Sequence, residues 1–172
     1  MRVAVVADAH LGGPGGEAQP LVDQLLRLPG EGAGRLVLLG DLFQAWVGFH
    51  QYETPGIRRF VDAIATLRRQ GLRVDYVEGN RDFFLAEGPY RGSFDSVGVE
   101  CAFEAGGVRY LAVHGDGLND RDRQYLAWRW LSKSGAVRMV IRGVPRRVVG
   151  RLVDAAERRL SRTNFKHKAE VP

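Results

Sequence analysis

Arg2-Val3-Ala4-Val5-Val6-Ala7-Asp8-Ala9-His10 is a short apolar run that ends in a carboxylate and an imidazole. The pattern returns three times. Residues 35–39 (RLVLL) run into Gly40-Asp41, residues 73–77 (RVDYV) into Gly79-Asn80-Arg81-Asp82, and residues 108–113 (VRYLAV) into His114-Gly115-Asp116. Runs of this length, rich in Val and Leu and bounded by Gly or charge, read as buried strands. A weaker candidate, 99–103 (VECAF), joins 108–113 through a turn containing Gly106-Gly107. Between the early runs lie helical patterns. Leu21, Leu25, Leu26 and Leu28 share one side of 18–28, and Ile57, Phe60, Val61, Ile64 and Leu67 repeat at three- and four-residue steps over 57–70, where Gly71 ends the helix. Strand–helix–strand–helix–strand predicts an α/β fold with a parallel sheet. Ligands of such sheets gather at the carboxyl ends of the strands. Asp8, Asp41, Asn80 and His114 all fall there, after the first, second, third and fifth strands.

At 172 residues the chain is long enough for one domain with a real core. Its apolar runs are far shorter than the roughly 20 residues that cross a bilayer. The N-terminal run leads into a charged motif and reads as a strand, not as a signal peptide. One cysteine, Cys101, excludes an intrachain disulfide and fits a reducing cytoplasmic compartment; the residue reads as a small buried group on a strand. The net charge of +5 is unevenly spread. Residues 1–120 hold 11 Lys/Arg against 16 Asp/Glu, and residues 121–172 hold 14 against 4. The first segment suits a cation-binding core. The second, with helical patterns at 121–133, 136–142 and 145–161, suits an anionic partner. The organisation expected is a core over 1–120 and a basic helical cap segment over 121–172, within one domain.

The residue types at the strand ends point to a chemistry. Hydrolysis of a phosphate ester at neutral pH needs a nucleophile and a sink for negative charge, and two divalent cations about 3.5–4 Å apart provide both. Asp41 sits where a bridging carboxylate belongs. Asp8 and His10 can turn to one metal, and Asn80 and His114 can serve the second. This donor mixture suits Mn²⁺, Fe²⁺ or Zn²⁺. Arg81 can pair with substrate phosphate, or form an ion pair with its neighbour Asp82. Each motif alone has a plainer reading, as a turn or a cap. Their joint occurrence at successive strand ends favours a metal centre.

These motifs resemble those of the calcineurin-like metallophosphoesterases, which carry Asp-x-His, Gly-Asp, Gly-Asn-His/Arg-Asp, a His-Gly motif and a final Gly-His-x-His. Asp8-Ala-His-Leu11, Gly40-Asp-Leu-Phe-Gln-Ala-Trp-Val-Gly48, Gly79-Asn-Arg-Asp-Phe83 and His114-Gly-Asp116 resemble more narrowly the pyrophosphohydrolases of UDP-2,3-diacylglucosamine in lipid A biosynthesis. The resemblance implies a metallophosphoesterase-type β-sandwich flanked by helices, with a helical cap after the His-Gly-Asp strand. It implies two metal ions, most often Mn²⁺, held by Asp8, His10, Asp41, Asn80 and His114. It implies attack of a metal-activated water on the pyrophosphate, giving UMP and 2,3-diacylglucosamine 1-phosphate. Catalytic roles fall to Asp41, His114 and Arg81, and substrate contacts to Asn80, Arg81, Asp122 and Tyr125. The basic amphipathic segment 121–165 matches a cap that offers an apolar face to acyl chains and cations to phosphates or headgroups. An ordinary helical pair packed on the core fits it equally. A peripheral place on the cytoplasmic face of the inner membrane is then expected. No nucleic acid is expected, because the basic residues do not interleave with strand aromatics.

The sequence departs from the family at its end. Phe165-Lys166-His167-Lys168 lacks the glycine and second histidine of the final motif, and His50 reads as a loop-surface residue. The expectation is a C-terminally truncated form with an incomplete second sheet and about three protein ligands per metal. A metallophosphoesterase with another phosphodiester or phosphomonoester substrate, and a non-catalytic remnant that has lost its last ligands, are the competing readings.

Overall fold

The computed structural model describes residues 2–12, 17–116, 127, 130–144 and 148. It is a mixed α/β chain built on a parallel sheet. Strands β1 (Arg2–Val6), β2 (Ala33–Leu38), β4 (Arg73–Val77) and β6 (Ser96–Gly98) stand side by side in that order. All three pairings are parallel, with Val5 opposite Val37, Leu38 opposite Tyr76 and Tyr76 opposite Val97. Helix α1 (Gln19–Arg27) crosses from β1 to β2, and α2 (Pro55–Arg69) from β2 to β4. The sheet order advances in one direction, so right-handed crossovers set both helices on one face. Thr54 caps α2 by accepting from the Ile57 amide at 3.2 Å, Pro55 occupies its first turn, and Gly71 (φ +88°) follows its end.

The main core lies between that face and the two helices. Leu36, Leu38, Val74 and Tyr76 project from the strands, and Leu25, Phe60, Ile64 and Leu67 from the helices. At the carboxyl edge this core becomes aromatic. Trp46, fully buried, meets the rings of Phe43, Phe60, Tyr76, Tyr90 and Phe94 edge-on or tilted, at centroid distances of 5.3–6.1 Å. Trp46 belongs to a two-residue strand, β3 (Trp46–Val47), which pairs in parallel with β5 (Asp82–Phe83).

The opposite face of the sheet is polar at its centre. Arg35 and Asp75 form a buried ion pair at 2.7 Å, reinforced by Ser96 and Arg73. Strands β7 (Glu100–Ala105) and β8 (Val108–Val113) form an antiparallel hairpin that reaches this network. Arg35 donates to Cys101 Sγ at 3.4 Å and lies 5.0 Å from the Phe103 ring centre.

Two expectations need correction. Residues 108–113 do not continue the parallel sheet, since β8 pairs with β7 alone among the described residues. Nor are β1 and β8 buried strands. Val5 is 53% exposed, Val108 52%, Tyr110 46% and Leu111 64%. An apolar run marks a strand, but full burial needs cover on both faces, and these two strands lack it among the described residues.

The chain divides into two compact units, Met1–Ser134 and Gly135–Pro172. The second contributes one described helix, α3 (Gly135–Gly143), over the pattern read at 136–142; it buries no residue and exposes Met139 and Val140. Of the helix read at 121–133 only residues 127 and 130–133 are described, with 127 and 130–132 helical, and of that at 145–161 only residue 148; Asp122, Tyr125 and His167 lie outside the described residues.

Replacing Trp46 with Ala removes the ring that five others pack against and is expected to cost about 3–5 kcal/mol. A urea-unfolding series checks this. A loss below about 1 kcal/mol would remove Trp46 from the centre of the core.

Candidate metal centre

Parallel pairing does not stop where the strands stop. Beyond β1 and β2 the two chains stay hydrogen-bonded: Asp8 N donates to Gly40 O (3.2 Å), His10 N to Asp41 O (3.1 Å), Leu11 N to Leu42 O (2.8 Å) and Gln44 N to Leu11 O (2.9 Å). Beyond β2 and β4, Trp46 N donates to Arg81 O (2.9 Å) and Gly48 N to Phe83 O (2.7 Å). Three loops thus run side by side in strand order, each carrying its motif to the same edge.

The loops are closely fitted. A Cβ on Gly40 would lie 2.3 Å from the Gly79 nitrogen, and one on Gly79 would lie 2.3 Å from Asp41 Oδ1. Gly40 also has φ +72°. Asp8, His10 and Asp41 themselves adopt φ of +53°, +47° and +52°, the left-handed region that costs L-residues roughly 1–2 kcal/mol. Such conformations persist where the surroundings over-determine them, and they concentrate at functional sites.

Asp8, His10 and Asp41 each offer a ligand atom, and the three atoms lie within 4.8 Å of one another. His10 Nε2 is 3.8 Å from Asp8 Oδ1, and the buried His10 Nδ1 has no hydrogen-bond partner among the described residues. Asp41 also meets His114, whose Nε2 is 3.6 Å from Asp41 Oδ2 and 3.2 Å from Asn80 Oδ1. His114 Nδ1 is 2.6 Å from the carbonyl oxygen of Leu39. A carbonyl only accepts, so Nδ1 carries a proton, and in the neutral form of the ring Nε2 is the lone-pair atom that faces Asp41 and Asn80. With Nε2 unprotonated, these three atoms are complementary to a cation. A metal-ligating histidine that donates its other ring N–H to a backbone carbonyl is the usual supporting arrangement. The Asp8–His10–Asp41 cluster therefore fits a divalent cation.

Electrostatics agree. Burial pushes the Asp41 carboxyl above its ordinary range; the Arg81 amide, His114, the Arg81 guanidinium and His10 pull it back. Burial also raises Glu78, which accepts from the amides of Leu85 (2.7 Å) and Ala86 (3.2 Å), and it pushes Asp82 up to about 7. Three buried carboxyls at one edge make a place that welcomes positive charge.

Arg81 does not pair with Asp82 among the described residues. Both Asp82 oxygens are taken by other donors, while the Arg81 guanidinium lies 3.7 Å from Asp41 Oδ2 and donates to the side chain and carbonyl of Gln44. Gln44 is a residue that motif reasoning missed. Its side chain also donates to His10 O (3.3 Å), linking the first loop to Arg81. Its only sequence signal was its place in Leu42-Phe43-Gln44-Ala45-Trp46. His50 lies on an exposed 3-10 turn, 3.9 Å from Glu53. The structure brings together Asp8, His10, Asp41, Asn80, Arg81 and His114.

Comparison with known proteins meets this geometry. The chain is 30% identical over 141 residues to the UDP-2,3-diacylglucosamine hydrolase of Ralstonia nicotianae, covering 81% of this chain and 53% of the relative. It is 33% identical over 130 residues to that of Stenotrophomonas maltophilia (75% and 52%), and 35% over 133 residues to that of an Escherichia coli strain (75% and 54%). The chain is a relative of the UDP-2,3-diacylglucosamine hydrolases. It spans about half the length of these curated relatives. No family model matches it. A solved structure of a protein of unknown function from Aquifex aeolicus aligns at a TM-score of 0.46 and 16% identity over 74% of this chain and 69% of that one, a likeness that carries no argument.

Two substitutions to Ala separate close approach from backbone strain. Gly71→Ala meets open space at φ +88° and is expected to cost about 1–2 kcal/mol, whereas Gly40→Ala adds a clash with immovable backbone worth a further 1–3 kcal/mol or so. Equal melting temperatures for the two variants would refute the tight fit of the Gly40 and Gly79 turns.

Proposed function

We propose that the chain carries the metal-binding core of a hydrolase that cleaves the pyrophosphate bond of UDP-2,3-diacylglucosamine to UMP and 2,3-diacylglucosamine 1-phosphate. The observation that carries the reading is the position of Asp41, whose carboxylate clusters with Asp8 and His10 and also lies 3.6 Å from His114, itself in contact with Asn80. Two divalent cations, most often Mn²⁺ in such sites, would be held there with Asp41 shared, and when bound they supply an acidified water and a sink for phosphoryl charge. The relatives' names supply the substrate class. The two-layered β-sandwich of metallophosphoesterases belongs to the same reading, with the β7–β8 hairpin as part of its second layer.

Each residue has a task that its surroundings support. The Leu39 carbonyl fixes the His114 ring, so its Nε2 stays a lone-pair donor. Asn80 supplies a neutral oxygen, which holds a cation without quenching its acidity. Asp41 is itself oriented by the Arg81 amide, which donates to its Oδ1 at 2.8 Å. Arg81, part-exposed at the rim and steadied by Gln44, offers a fork to a phosphoryl group. Beside the Gly79 turn, held by Lys133 Nζ donating to Gly79 O at 2.8 Å, is a cavity of about 310 Å³ lined by Phe84, Val99, Trp130, Glu78 and Lys133. A larger hollow beside Arg68 and Arg73 lies at the opposite edge of the sheet and takes no part.

Asp122 and Tyr125 are proposed to complete the substrate contacts, on their spacing after His114. The cationic 121–172 segment is proposed to meet an anionic membrane face from the cytoplasmic side. No helix among the described residues is long and apolar enough to cross a membrane.

The test is a turnover assay of UDP-2,3-diacylglucosamine against bis-(p-nitrophenyl) phosphate, with and without chelator. Hydrolysis of the lipid nucleotide, lost on chelation and restored by Mn²⁺, is expected. Asp41→Asn should lower it by more than about a hundredfold, beyond the loss from an outer-shell ligand partner. Turnover of the small diester alone would remove the lipid substrate, and an unchanged Asp41→Asn protein would remove the metal centre.

A further inference from the structure

We infer that Asp82 is a positioning residue, whose buried carboxylate sets the spacing between the Asp41 turn and the Asn80 turn and thereby the spacing of the two cations. The inference rests on the two-metal reading above. Asp82 is fully buried. Its Oδ2 accepts from the backbone amide of Asp41 at 3.1 Å and from that of Gly79 at 2.8 Å, so one oxygen ties both turns together. Its Oδ1 accepts from the Tyr76 hydroxyl at 3.1 Å, which fixes the carboxylate to β4 in the aromatic core.

The contrast with Asp75 is informative. That carboxylate is equally buried but lies against the Arg35 and Arg73 guanidiniums. Among the described residues Asp82 is hydrogen-bonded only to neutral donors. A buried carboxylate with no cation hydrogen-bonded to it, and only the Lys133 ammonium acting from further off, is costly, and cheaper residues would fill the space. What Asp82 alone does here is give two amides from different loops a common acceptor. The amides sit next to the ligands: one belongs to Asp41 itself, the other precedes Asn80. A shift of either turn would move one cation's ligands relative to the other's. The close approach of Gly40 and Gly79 sets how near the turns can come, and the Asp82 oxygen keeps them from separating.

Manganese spectroscopy tests this without turnover. The unaltered chain, Asp82→Asn and Asp82→Ala are titrated with Mn²⁺ by calorimetry and followed by electron paramagnetic resonance, with circular dichroism as the check on folding. The unaltered chain should give an exchange-coupled two-manganese signal. Asp82→Asn keeps an oxygen for the two amides, and its NH₂ can donate to the Tyr76 oxygen, so it should retain that signal. Asp82→Ala leaves both amides unpaired; it should lose the coupling, and the affinity of the weaker site should fall at least about tenfold. Coupling retained in a folded Asp82→Ala protein, or lost from a folded Asp82→Asn protein, overturns the inference. If Asp82→Ala does not fold, the Asp82→Asn protein decides by that criterion. An uncoupled signal from the unaltered chain fails differently, because it overturns the two-metal reading and takes the inference with it.

Discussion

The turns after β2 and β4 touch through Gly40 and Gly79, at a distance that admits no side chain on either residue. This contact lets Asp41 and Asn80 share one site. Parallel strands about 4.8 Å apart normally diverge into separate loops at their carboxyl ends. Here the backbone pairing continues past the strands, from Asp8–Gly40 to Gln44–Leu11 and from Trp46–Arg81 to Gly48–Phe83. The continued pairing supplies the over-determination that three left-handed non-glycine residues require. It also gives Trp46 its role. The ring fills the space beneath the converging loops, so packing of the aromatic core and placement of the ligands are one structural event.

Buried charge is treated differently on the two sides of the molecule. Under the sheet, Asp75 is neutralised by Arg35 and Arg73, an arrangement complete in itself. At the carboxyl edge, Asp41, Glu78 and Asp82 are held mainly by amides and a hydroxyl, with Arg81 at the rim of Asp41 and the Lys133 ammonium near Glu78 and Asp82. The first arrangement has no use for an added cation. The second sets three buried carboxyls beside Arg81 and Lys133, and its acceptors converge. Composition alone does not distinguish them, because Asp75 and Asp82 are the same residue type, both fully buried.

How much of this was legible in the sequence follows from the range of the interactions. Both crossover helices and the three long parallel strands were legible because periodicity is local: Ile57, Phe60, Ile64 and Leu67 can face only one way on a helix. The convergence of Asp8, Asp41 and Asn80 was legible because parallel topology places strand ends together. Four features were not. Strands β3 and β5 have two residues each, too few for any period, and they exist because neighbouring loops pair. Strand β6 is three residues long and reads as a loop after the Pro89–Ser93 turn. Arg35 and Asp75 lie inside apolar runs, where their pairing is set by register between strands 40 residues apart in sequence. Gln44 and Asp82 act by hydrogen bonds to backbone, which leave no pattern of spacing.

His114 raises a different question, because β8 is not part of the parallel sheet that delivers the other ligands. Its imidazole reaches the site by donating to the Leu39 carbonyl, just beyond β2, so it depends on where the β7–β8 hairpin sits beneath the sheet. The described contacts that fix the hairpin run through Arg35, which meets Cys101 and the Phe103 ring while paired with Asp75. Arg35 therefore does more than balance a buried charge. A guanidinium at this place joins β2, β4 and β7 with groups that an apolar residue of equal volume would not orient. An apolar pair at 35 and 75 would often serve stability as well or better. The retained ion pair is better understood as fixing the seat of the hairpin, and through it the approach of His114 to Asp41.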